Sequence, residues 1–64
     1  MSDDDALTDT MARGLIELAA AIRDGRVQST RADLDAIIDI CERQSWFLIS
    51  DAFRQARLKR FHHA

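Results

Sequence analysis

Residues 44–53 read Gln-Ser-Trp-Phe-Leu-Ile-Ser-Asp-Ala-Phe, and how this stretch is laid out decides the fold. A helix resting on one neighbour needs a single apolar stripe, but Trp46, Phe47, Leu48 and Ile49 in succession point around most of a helix's circumference. Upstream, Leu34, Ile37, Ile38 and Cys41 recur at helical spacing, and Ala52 and Phe53 follow downstream. Ser45 falls on the seam set by Ile38, Cys41 and Leu48, where a small side chain would let another helix approach. No glycine or proline lies beyond Gly25, so little in the composition stops a helix once it has begun. The expectation is one helix over about residues 30–60, with Gln44-Ser45 as the place for a kink. Its start is marked by Thr30-Arg31-Ala32-Asp33, a capping box with Asp in place of the usual Glu.

Toward the N-terminus, Leu7, Met11, Leu15, Leu18 and Ile22 repeat at spacings of three and four, which predicts a first helix over about residues 5–24. Asp3, Asp4 and Asp5 precede it, where acids favour the positive end of the helix dipole. Gly25 follows the last periodic residue, as a glycine closing a helix does. A turn over residues 25–29 then joins two helices, and so short a connection makes them antiparallel. The predicted fold is therefore all-α: an antiparallel helical hairpin, with a third short C-terminal helix as its variant, completed by oligomerisation into a helical bundle. At 1.5 Å per residue the second helix, about 45 Å long, would overhang the first, about 30 Å long. Part of the Trp46–Ile49 surface would then need cover from outside the chain.

Size points the same way. The chain has 64 residues and is one small domain, and a domain of this size buries only about 60% of the surface its unfolded form exposes. Cys41 is the single cysteine, so no internal disulfide can help, and a lone thiol suits a reducing cytoplasm. No Cys/His cluster has zinc spacing. Association is the remaining way to stabilise so small a core. The net charge of −2 gives no polyelectrolyte signal, although residues 46–64 are basic and the earlier part acidic. No apolar run has the length of a membrane span, and the acidic opening is unlike a signal peptide, so a cytoplasmic location is expected.

Trp46, Phe47, Ile49 and Phe53 are the candidate partner-binding residues, since aromatic side chains anchor protein interfaces. Arg54, Arg57, Lys59 and Arg60 form a basic segment. Cations at a helix C-terminus satisfy the dipole, and the same four could also make a salt-dependent contact with phosphates. Read as a basic amphipathic helix for a membrane surface, the segment is interrupted by Asp51 and lacks a second anchoring signal.

His62 and His63 are adjacent and cannot share a helix face. Asp35, Asp39 and Glu42 lack the Glu-x-x-His pattern of helical di-metal sites. Cys41 on the apolar stripe reads as a buried, inert thiol. No catalytic residues, metal or cofactor are expected.

The pieces Thr10–Ile22 (TMARGLIELAAAI) and Ile38–Gln44 (IDICERQ) resemble the Rop family, small helical-hairpin RNA-binding regulators of plasmid copy number. That resemblance implies a dimeric hairpin. Gly14 stands where the family carries an aromatic on its RNA-contacting face, so RNA binding does not carry over. The expected function is a non-enzymatic interaction module, a small adaptor, regulator or co-chaperone-like subunit. Its partner would be a second copy (a homodimer), a larger protein, or both. The alternative is a helical nucleic-acid-binding regulator that uses the basic segment.

Overall fold

The computed structural model describes residues 8–61, and within them the chain forms three helices rather than two: α1 (Asp9–Arg23), α2 (Arg31–Arg43) and α3 (Phe47–Arg60). Thr8 caps α1, its side chain accepting from the Met11 N–H at 3.1 Å, which satisfies one of the free donors of the first turn. The expected start near residue 5, the acids at 3–5 and Leu7 lie outside the described residues. At the other end Gly25 takes a left-handed φ of 83°. Its N–H reaches the Ile22 carbonyl while the Arg26 N–H reaches that of Ala21, the paired bonds of a Schellman closure. Thr30 and Asp33 then exchange side-chain-to-backbone bonds as a complete capping box and start α2.

The continuous second helix is corrected by the structure, and with it the two-helix hairpin, including the hairpin that the Rop resemblance implies. The break falls at Gln44-Ser45, the expected place for a kink, and the third helix is the variant that forms. At Gln44–Trp46 the chain repeats the closure seen after α1. Ser45 adopts φ 63°, its N–H reaches the Glu42 carbonyl, and the Trp46 N–H reaches the Cys41 carbonyl at 2.8 Å. The left-handed conformation costs a non-glycine residue about 1–2 kcal/mol, but it lets α3 fold back along the first two helices. That reversal buries Ile49 and Phe53, and each large apolar side chain enclosed is worth about 1.5–3 kcal/mol. Burial outweighs the strained turn, and the helix breaks.

The break also changes which residues face inward. A continuous helix would have carried the seam of Ile38 and Cys41 on through Ser45 to Leu48. In α3 the inward stripe is instead Ile49, Phe53 and Ala56, with Ser50 beside it, and all four are buried. Ser45 is exposed in the turn, and Leu48 is 85% exposed. The Ser50 hydroxyl donates to the Phe47 carbonyl at 3.0 Å, so its burial leaves no unmatched donor.

α3 packs along both α1 and α2, whereas α1 and α2 make no close backbone approach to each other. Asp35 pairs with Arg57 and Glu42 with Arg54, which sets α2 antiparallel to α3. Ala12 and Ile16 lie beside Trp46–Ile49, and Gly25 lies against Arg60, which sets α1 parallel to α3. The result is an up–down–up arrangement whose core joins Ala19, Ile22, Leu34, Ile38, Cys41, Ile49, Phe53 and Ala56.

Candidate functional site

The four expected partner-binding residues are divided by the fold. Ile49 and Phe53 are buried in the core, Trp46 packs partly against it, and Phe47 remains 62% exposed. Leu48, which periodicity placed on the inner seam, stands out as the most exposed large apolar residue of the described chain. These positions follow from the turn at Ser45, because α3 begins at once on its C-terminal side with Ile49 and Ser50 turned inward and Phe47 and Leu48 outward.

Beside the first turn of α3 is a cleft of about 370 Å³ lined by Ala12, Ile16, Ser45 and Trp46–Ile49. Its walls are apolar but for Ser45. Ile16, on α1, is itself 43% exposed. α1 thus contributes a wall that composition alone did not single out, since Ile16 stands just off the predicted stripe of Leu15 and Leu18. The first turn of α3 has no side-chain cap, with Trp46 at the N-cap position. A concave apolar surface beside exposed Phe47 and Leu48 can receive an apolar side chain from a partner. Among the described residues no group of His, Cys, Asp and Glu is placed to hold a metal ion.

The basic segment is largely engaged within the chain. Arg54 pairs with Glu42 and Arg57 with Asp35, and the Arg60 guanidinium lies over Gly25, so that a Cβ there would sit 3.1 Å from Nη1. Arg60 therefore stands at the C-terminal ends of both α1 and α3, where a cation offsets two helix dipoles. Lys59 makes no ion pair among the described residues. His62 and His63 lie outside the described residues.

Cys41 is a free, buried thiol, and burial pushes its pKa up. No described helix is long and apolar enough to cross a membrane. Met11, Leu18 and Ile40 are also exposed apolar residues, but they do not line the cleft.

Comparison of the chain with models of known families, with curated proteins and with solved structures finds no match.

Proposed function

We propose that this chain is a non-enzymatic protein–protein interaction module that docks through the apolar face formed by α1 and the first turn of α3. One observation carries the reading: Phe47 and Leu48 project beside an apolar cleft walled by Ala12 and Ile16. Leaving such side chains in water forfeits about 1.5–3 kcal/mol for each large residue, an energy that a partner's apolar surface recovers. The internal pairing of Arg54 and Arg57 argues against the basic segment as the principal docking surface. Such exposed pairs are worth at most about 1 kcal/mol each, so this argument is secondary to the apolar face.

A photo-crosslinking side chain at position 48, in the full chain expressed in cells, tests the reading, with position 36 on the exposed surface of α2 as control. Covalent protein adducts, to this chain or another, should form at 48 and exceed those at 36. Equal yields at the two positions, or none at 48, would reject the face as a docking site. A nucleic-acid role predicts instead strong retention on heparin that salt abolishes, lost when Arg54, Arg57, Lys59 and Arg60 become Ser.

A further inference from the structure

We propose that the outer face of α1 is a homodimer interface, on which α1 lies antiparallel against α1 of a second copy about a two-fold axis level with Ile16. This surface is separate from the cleft, and the inference does not rest on the docking reading above. The structure divides the apolar periodicity of α1 into two stripes. Ala12, Leu15, Ala19 and Ile22 pack into the core. One residue earlier at each step, Met11, Gly14, Leu18 and Ala21 repeat the same spacing of three, four and three, the seam pattern of paired helices. This second stripe is open. Met11 is 48% and Leu18 37% exposed, and a Cβ on Gly14 would meet nothing within 4 Å.

The surface that fits this stripe is the same stripe reversed. A two-fold axis lying in the plane between two copies, at right angles to α1, turns the helix end for end and leaves the copies on opposite sides of that plane. With the axis level with residue 16, Met11 faces the partner's Ala21 and Gly14 faces the partner's Leu18. Each contact occurs twice, as an isologous interface requires. Every large side chain thus meets a small one, and Gly14 gives the room that a close backbone approach needs. A parallel pair would instead set Leu18 on Leu18 and Gly14 on Gly14, alternating crowding with gaps. Residue 16 is also the midpoint of Asp9–Arg23, so the register that matches large to small overlaps the two helices along their whole length.

Charge agrees with the reversal. On one flank of the stripe it brings Glu17 within a turn of the partner's Arg13, and neither residue makes an ion pair among the described residues. At each end it places Asp9, with Asp3, Asp4 and Asp5 before it in the sequence, at the level of the partner's Arg23 and Arg26. Those two cations share one acid, Asp24. Complementary ends of this kind fix orientation and register, and antiparallel helices also set opposite dipole ends together.

The test is an exchange of large and small residues, read by sedimentation of the full chain from micromolar to submillimolar concentration. The unaltered chain should form dimers. Gly14→Leu should weaken dimerisation roughly ten-fold or more, because the new side chain meets the partner's Leu18 at two symmetric places. The helix content of its monomer should stay the same or rise, since glycine is a poor helix former, which separates loss of association from loss of folding. Combining Gly14→Leu with Leu18→Ala should recover dimerisation to within about three-fold of the original, since large again faces small. Direction is read in chains with Cys41→Ala: a mixture of Met11→Cys and Ala21→Cys chains should oxidise mainly to the mixed disulfide between positions 11 and 21. Leu48→Asp, in the cleft, should leave the dimer in place. A chain that stays monomeric throughout overturns the proposal, as does a Gly14→Leu chain that dimerises like the original. A double variant no better than Gly14→Leu alone, or disulfides that join like positions, also overturns it. Loss of the dimer in Leu48→Asp would place self-association at the cleft and reject the outer face of α1.

Discussion

Phe53 has no exposed surface and lies on the inward stripe of the helix that packs on both others. Replacing it by Ala removes a large part of a small core, and such truncations cost about 3–5 kcal/mol. In a chain this short that loss should abolish cooperative thermal unfolding in circular dichroism, and a variant that melts like the original would contradict the packing. Ser45 offers the opposite experiment. Its left-handed φ is one that glycine adopts freely, so Ser45→Gly should raise stability by about 0.5–1 kcal/mol in urea titrations. Ser45→Val should lower it by more than 1 kcal/mol, because a β-branched residue is least tolerant of that conformation.

Cys41 gives a pH signature. Its thiol pKa is pushed up by burial in the folded chain, so the unfolded chain loses this proton first as pH rises. The associated stability is complete below the unfolded thiol value, about 8.5, and declines as pH rises through it toward the folded value. Urea midpoints from neutral to alkaline pH should fall more steeply for the native chain than for Cys41→Ala. Identical slopes would show that the thiol does not titrate differently on folding.

At the scale of the elements, α3 is the member on which the other two depend. α1 and α2 make no close backbone approach to each other, and helices of 15 and 13 residues are marginal alone in water. A chain ending after Arg43 should therefore show little helix by far-ultraviolet circular dichroism, and adding the α3 peptide should restore it. A stable helical fragment without α3 would contradict this arrangement.

The start of α2 and the end of α1 lie in short local signals, which is why sequence reading places them well, whereas Thr8, which caps α1, is not singled out by the sequence. Thr30 and Asp33 satisfy each other within one turn, and Gly25 supplies the backbone freedom its closure needs. The break after α2 has no such local signature. Ser45 is a serine where glycine is usual, and what favours its conformation is the burial of Ile49 and Phe53 against distant residues, a tertiary term that outweighs local propensity. A kink is expected at Gln44-Ser45, but a full reversal is not, so the inward face of the last helix is assigned wrongly, and Leu48 moves from core to surface. The candidate site was legible in the same partial way. The four-residue apolar run announces excess apolar surface, but only the fold distinguishes exposed Phe47 from buried Ile49 and Phe53.

For the whole molecule, everything proposed about the docking face depends on the chain reversing at Gln44–Trp46. That reversal brings the end of α3 back to the turn after α1, with Arg60 against Gly25. A helix continuous to residue 60 would carry the same end about 45 Å from the start of α2. The most direct measurement is a spin-label distance between Arg26→Cys and Lys59→Cys in a chain with Cys41→Ala. Dilution with unlabelled protein makes the signal report one molecule. The three-helix arrangement predicts a narrow distribution at about 20 Å or below, allowing for the reach of the two labels on a pair of neighbouring turns. A distribution centred near 40 Å or beyond would mean that the helix runs on past Ser45, and both the cleft and the docking proposed for it would fall.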